Sequence, residues 1–376
     1  MTDNLFQNEA NPTLFRPTAS IDNLKRRAKL YQILRGFFDG RGFVETSTPT
    51  LSRDVVVDRF VESIPVSIER CWQERDNLAQ TRFDSQELAQ AQATTFYLQT
   101  SPEFAMKRLI AAGMDAIYQL APAYRKGDRG RLHNLEFTML EWYRRGDDYL
   151  AGRALLAELL ETVARLFYEK TGVTQSAWSQ NAVVQQSFGE AFRQKTGLNP
   201  HACTIDELRK FSDNRLIPYP DSYVSGQAHA TKDDWLDLVF SEAVQPELGF
   251  EAPVILYDYP ASQSQLAQTG QTVDPHTGSP LSVSRRFELF VMGIELANGY
   301  DELRDPSVLR ERIAETSEER RSDGSPELPK ESRLLAAMDA GFPQCAGCAL
   351  GIDRLLCVLL AAAKIDDVIA FPIELA

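Results

Sequence analysis

The run YRKGDRGRLHNLEFTMLEWYR at residues 124–144 decides the reading of this chain. It sets a polar, glycine-containing loop with three arginines, Arg125, Arg129 and Arg131, between two apolar, strand-like segments. A second run, ALGIDR at 349–354, places Arg354 just past a strand of small residues, where an apolar helix opens. An arginine fork stays charged and pairs with two phosphate oxygens at once, and glycine lets backbone approach a ligand closely. Two such sites can grip one polyphosphate from both ends.

Outward from these runs, segments 117–124 and 136–143 read as the strands flanking the loop. A strand at 96–99 precedes Ser101-Pro102-Glu103, which opens a helix over 104–112 with Ser101 as N-cap and Pro102 at the first helical position. Upstream, Ala28, Tyr31, Leu34 and Phe38 recur at helical spacing, and Gly40 and Gly42 stop that helix before a strand at 43–47 that ends at Pro49. Downstream, Leu155, Leu159, Val163 and Leu166 form the stripe of a long helix ending before Gly172. Further helices fill 175–248, one opened by the capping box Thr204 and Glu207. Strands follow at 254–257 and 287–300, then the helix from Leu355 and a closing strand near Val368. Residues 1–19 read as a flexible tail, and 52–95 as strand-like pieces around a Gln-rich surface insertion. The remainder, 20–376, reads as one catalytic domain with a helical insertion at about 148–250. Strands and helices do not alternate regularly, which predicts an α+β fold with a mainly antiparallel sheet flanked by helices.

Composition narrows the function. The 376 residues are 43% hydrophobic, enough for a packed core, and no apolar run approaches the ~18 residues of a membrane span, so no membrane association and a cytoplasmic location are expected. A net charge of −13 opposes a broad nucleic-acid footprint, and positive charge is concentrated in the arginine loop, which suits a small anion. Five scattered cysteines argue against a disulfide framework; Cys345 and Cys348 form a CxxC that reads either as a metal or redox pair or as small-residue packing.

The segment RRFELFVMGIELANGYDEL at 285–303 brings Glu288 and Glu295 together on a hairpin turning near Met292-Gly293. A turn at 291–292 opposes the two carboxylates directly, and a turn one residue later makes them diagonal neighbours. Either they are solvated on an edge, or a cation lies between them; Mg²⁺ completed by phosphate oxygens meets that need. Glu103, Asn298 and Glu302 add carboxylates and an amide suited to ammonium groups, two of which a diamino acid would supply. For Glu103 the alternative is a first-turn glutamate complementing the helix dipole.

With these residues the chain resembles the catalytic domain of class II aminoacyl-tRNA synthetases, with motif 1 at 42–49, motif 2 at 125–143 and motif 3 at 347–356. Within the class it is similar to lysyl-tRNA synthetases, through Ser101-Pro102-Glu103, His133-Asn134-x-Glu136-Phe137-Thr138 and Glu295-x-x-Asn298-Gly299-x-x-Glu302. It resembles more closely the paralogues that lysylate elongation factor P, through LEWYR at 140–144, PASQ at 260–263 and CAGCALGIDR at 345–354. Lysyl synthetases carry an N-terminal anticodon-reading domain, whereas a short tail precedes motif 1 here, so stable tRNA binding is not expected. Motif 1 implies a homodimer.

That resemblance implies activation of (R)-β-lysine with ATP and Mg²⁺ and its transfer to a lysine ε-amine of elongation factor P. The rivals are a truncated synthetase using tRNA or a small acceptor, and a non-catalytic synthetase-like subunit. Arg125 and Arg354 would be catalytic, the first at the α-phosphate, the second at the far phosphates or the adenine face. Phe137 would stack on adenine. Lys126, Gly127, Asp128, His133, Asn134, Leu289 and Gly351 would complete the ATP site, and Glu288 and Glu295 would contact metal and ATP. Glu103 and Glu302 would take the two ammonium groups, in a pocket with Ser101, Pro102, Tyr143, Glu295, Asn298 and Ala349. Two departures stand out. The usual Arg-x-Glu of motif 2 is Arg125-Lys126-Gly127-Asp128, with Asp128 the candidate substitute for the glutamate, and Leu135 replaces the usual proline.

Overall fold

The computed structural model describes residues 15–67, 95–224 and 230–376. Most of the expected tail and of the Gln-rich insertion therefore lies outside the described residues. Helix α1 (Ile21–Asp39) starts where Ser20 Oγ accepts the Asn23 N–H at 3.1 Å and ends at Gly40, with Gly42 at φ +77° turning the chain into β1 (Val44–Glu45). Short strands β2 (Leu51–Ser52), β3 (Ile64–Val66) and β4 (Phe96–Leu98) form a separate small sheet, with β4 in the middle. Helix α2 (Glu103–Ala111) leads into β5 (Ala116–Tyr124) and β6 (Glu136–Arg145), the two strands around the arginine loop.

Helix α3 (Tyr149–Thr171) is capped by Asp148 and closed by Gly172 at φ +67°. It is followed by β7 (Val184–Ser187), α4 (Phe188–Thr196), α5 (Ile205–Arg215) with both halves of the Thr204–Glu207 capping box formed, and α6 (Lys232–Val239). Then come β8 (Val254–Pro260), β9 (Thr269–Val273), β10 (Pro280–Val291), β11 (Ile294–Asp301), α7 (Pro306–Ser322), α8 (Arg333–Asp339), β12 (Cys345–Gly351) and α9 (Ile352–Leu360).

The main sheet runs β1-β5-β6-β12-β11-β10-β8-β7, with β9 added to β10. Only the outer pairs β1–β5 and β7–β8 are parallel among the described strands, so the mainly antiparallel α+β expectation holds. Because side chains alternate across a strand, one face takes Tyr118, Leu140, Trp142, Cys348, Leu350, Phe287 and Leu289 into a core with α1, α3 and α9. On the other face Leu256, Tyr259 and Phe290 pack with α4 and α6 in a second cluster.

Three local expectations change. Pro102, at φ −72° and ψ 0°, takes the N-cap position of α2; Ser101 Oγ still accepts the Glu103 N–H at 3.1 Å but gives its own proton to Glu141. No strand forms at Val368. There a 3₁₀ turn (Ile365–Asp367) is tied to the arginine loop by Ile365 N–H to Arg131 O at 2.8 Å, and Val368 is fully buried in the core. The segment expected to be helical over 175–248 also supplies β7, whose ladder to β8 extends the sheet edge.

Candidate active site

Four strands of the main sheet present one continuous surface. In register, Tyr143 pairs with Gly347, Gly347 with Tyr300, and Tyr300 with Arg286. The next row on the same face is Glu141, Ala349, Asn298 and Glu288. A cavity of about 310 Å³ lies over these rows and reaches the arginine loop at one end and the start of α2 at the other.

At the loop end it is lined by Arg125, Asp128, His133, Asn134, Phe137 and Arg354, with Gly351 beside them. The Arg125 guanidinium stands 5.2 Å from the Phe137 ring centroid, and its Nε is buried without a hydrogen-bond partner among the described residues. A buried charged donor with nothing to bind is costly unless an anion reaches it, so this end suits a phosphate. Arg354 donates to Glu295 O at 3.0 Å and hydrogen-bonds the His133 ring. Burial, with help from Arg354, holds the His133 pKa below its ordinary value, which keeps the ring a neutral acceptor. The other loop arginines face away: Arg129 pairs with Asp366 and Glu374, and Arg131 donates to Ala363 O at 3.2 Å. Asp353 fastens the site from behind. Its Oδ2 accepts the Thr138 N–H at 2.7 Å, and Oδ1 pairs with Arg27 of α1.

At the α2 end, Ser101, Glu103, Tyr143, Asn298, Glu302, Gly347 and Ala349 line the cavity. Ser101 and Tyr143 both donate to Glu141. Burial pushes the Glu141 carboxyl up to about 7 and that of Glu302 to about 8. Asn298 Oδ1 is buried with no donor facing it. An acceptor of that kind among carboxylates fits an ammonium group.

The hairpin turns at Met292 and Gly293, both at positive φ, which is the later of the two turns considered. A bulge beyond Phe290 and Glu295 then sets Glu288 opposite Asn298, so the two carboxylates share a face without being directly opposed. Glu288 accepts from Tyr259 OH at 2.6 Å and pairs with Arg286, while Glu295 is 39% exposed. Burial raises the Glu288 pKa against the pull of Arg286, and Glu295 adds to the rise. A pair held this way fits a metal bound by one or two carboxylates and completed by phosphate, whereas no cage of three or more His, Cys, Asp or Glu side chains exists among the described residues. Of the two only Glu295 lines the first cavity; Glu288 borders a second one of about 570 Å³, which Glu295 shares, together with Asp233, Asp234 and Asp237.

The chain matches the family described as tRNA synthetases class II (D, K and N) over residues 11–375. It is 36% identical to an elongation factor P (R)-β-lysine ligase of Photobacterium profundum, over 96% of this chain and 99% of that protein. Ligases of the same name from Proteus mirabilis and Yersinia pestis are 35% and 34% identical, with 97% and 98% of their lengths covered. This chain belongs to the elongation factor P (R)-β-lysine ligase family of class II synthetases.

Some residues expected in the site of this family member stand outside the cavity lining. The Lys126 side chain pairs with Glu62 at 2.5 Å, Gly127 supplies a turn at φ +82°, and Pro102 caps α2. Leu289 follows Glu288 and so points to the opposite face of the sheet, where it is fully buried. Cys345 and Cys348 are buried free thiols in separate apolar clusters, Cys345 beside Tyr143 and Cys348 in the main core. Three residues of the site were not assigned from the sequence: Lys107, Glu141 and Arg286. Glu141 and Arg286 lie two residues from Tyr143 and Glu288, the strand spacing that shares a face, and that spacing was the available signal. Lys107, one helical turn after Glu103, carried the same kind of signal.

Proposed function

We propose that this protein activates (R)-β-lysine with ATP as the acyl adenylate and transfers the β-lysyl group to a lysine ε-amine of elongation factor P. One observation supports it above the others: a single cavity joins an unpartnered buried arginine donor to a cluster of buried carboxylates. The ends match a triphosphate and a diamino acid.

Phe137 offers its ring to adenine, with Asp128 and Arg354 on the same wall. Glu103 and Glu302, helped by Asn298 and Tyr143, hold the two ammonium groups and so aim the substrate carboxylate at the α-phosphorus. Its oxygen attacks in line, the bond to the bridging oxygen breaks, and pyrophosphate leaves. Arg125 stabilises the charge on the phosphoryl oxygens, and positioning with electrostatics supplies most of the acceleration. Glu288 and Glu295 would hold Mg²⁺, which supplies further positive charge at the phosphates when bound. The acceptor amine, neutral after losing its proton, then attacks the acyl carbon and AMP leaves.

We further read the protein as a cytoplasmic homodimer with no stable tRNA binding. The exposed Val44 on edge strand β1 supports a dimer contact there, and the net charge of −13 supports the absence of stable tRNA binding. Among the described residues no helix is long and apolar enough to cross a membrane.

The test combines the protein with ATP, each lysine isomer, and either elongation factor P or tRNA, and weighs the products by mass spectrometry. One β-lysyl increment on elongation factor P is expected. Efficient charging of lysine tRNA would favour the synthetase rival, and absence of pyrophosphate exchange with every isomer would favour a non-catalytic subunit.

A further inference from the structure

A lysine with no part in the scheme above lies buried behind the amino-acid end of the cavity, against two of the carboxylates that line it. Lys107 Nζ stands 2.5 Å from Glu103 Oε1 and is also paired with Glu302. All three residues are buried, at 3%, 7% and 1% exposure, and Glu141 beside them is at 1%. The ring of Tyr143 faces the ammonium, with its centroid 6.0 Å from Nζ. The Cys345 thiol lies near Lys107 and Glu302, the Cys348 thiol near Glu141 and Glu302, and Tyr300 near Glu103, while Arg286 on the same sheet face is committed to Glu288. Burial pulls the Lys107 pKa down, but Glu103 and Glu302 outweigh it and hold the ammonium charged. Three carboxyl groups thus meet one cation, and two of them, Glu141 and Glu302, keep their protons into the neutral range, to be released as a ligand's ammonium groups arrive.

We propose that Lys107 is a positioning residue that takes one buried carboxylate equivalent for itself and so fixes at two the number of ammonium groups this pocket accepts. The inference rests on the reading that a diamino acid is the substrate, and it concerns how that substrate is selected. Through Glu103 and Glu302, Lys107 acts on the ligand without touching it. Its charge pulls the Glu302 carboxyl down against burial, so that an incoming ammonium can displace the proton; without it that carboxyl would hold its proton more tightly and meet the substrate as a neutral acid.

The experiment measures amino-acid-dependent pyrophosphate exchange against pH for the wild type, Lys107→Met and Lys107→Arg. In Lys107→Met the acid limb of kcat/KM should move up by about one pH unit or more, with KM near neutrality raised roughly 10-fold and kcat at high pH within about threefold. Lys107→Arg, which keeps the charge, should restore most of the wild-type profile. A lysine analogue lacking the terminal amine should be discriminated against less strongly by Lys107→Met. A lower kcat/KM with an unmoved acid limb would reduce Lys107 to a structural role and overturn the proposal.

Should Lys107→Met fail to fold, calorimetry of the wild type in buffers of different ionisation heat decides instead. Binding of a diamino acid near neutral pH should release protons from the carboxylates, and no release would overturn the count. A wild type inactive with every diamino acid would instead overturn the reading of the substrate.

Discussion

Gly347 lies directly opposite Tyr143 in the β6–β12 ladder, and the Tyr143 ring and the Glu302 carboxylate occupy the space where a side chain on residue 347 would stand. The glycine is required by this close approach and not by its backbone angles. It lets a ring from one strand and a carboxylate from beyond another meet over the middle of the sheet.

Gly347→Ala should therefore damage the amino-acid end of the cavity specifically. A Cβ there displaces Tyr143 or Glu302, and overpacking of this kind costs about 1–3 kcal/mol, or roughly 10- to 100-fold in KM for the amino acid. The KM for ATP should change little. Pyrophosphate exchange with each substrate varied in turn checks this, with circular dichroism to confirm the fold.

Arg125→Ala should abolish lysine-dependent pyrophosphate exchange. The side chain supplies the unpartnered donor of the loop end, and loss of a charge contact made to the transition state is worth about 3 kcal/mol or more, on the order of 100-fold in kcat. The protein should remain folded, because among the described residues Arg125 makes no ion pair that holds the loop, whereas Arg129 does. Exchange near the wild-type rate would remove Arg125 from the site.

Ala349 sits between Glu141 and Asn298 on the cavity face, so its methyl forms part of the floor under the amino acid. We expect the wild type to prefer β-lysine, and Ala349→Gly to shift the ratio of kcat/KM toward α-lysine by roughly 10-fold, the size expected for one methylene of pocket discrimination. Kinetics with both isomers on both proteins measure it. Ala297 also borders the cavity, although it pairs with Leu289 and packs in the core, and it is the next position to test if the ratio does not move.

Stability should depend on pH through the same pocket. Burial holds Glu141 at about 7 and Glu302 at about 8, above their ordinary value of 4.5, so the native state keeps protons that the unfolded chain releases. Their contribution is complete below the unfolded value and is lost as pH rises through 7 and 8. Glu302→Gln cannot lose a proton. Its Tm should fall less than that of the wild type between about pH 5.5 and about pH 8.5, whatever its offset. Parallel Tm curves for the two proteins would contradict the assignment.

Much of the site was legible because its chemistry is carried by local runs. Arg125, His133 and Phe137 lie within one strand–loop–strand unit, and Glu295, Asn298 and Glu302 along one segment, so spacing alone groups them. The start and stop of α1 and α3, the Thr204–Glu207 box and the turn at Met292-Gly293 follow likewise from caps and turn residues acting over a few positions.

What tertiary structure decided depends on residues far apart in sequence. The pairing of Lys107 with Glu302 needs α2 to be laid against the end of β11, and the placing of Glu288 against Asn298 needs the bulge that local propensity does not specify. Arg129 and Arg131 looked equivalent to Arg125, yet the C-terminal segment that claims them is known only once the chain has folded over the loop. The physical reason is common to all three. Charge in a buried site is neutralised by whichever partner packing brings within a few ångströms, and sequence distance has no bearing on that choice.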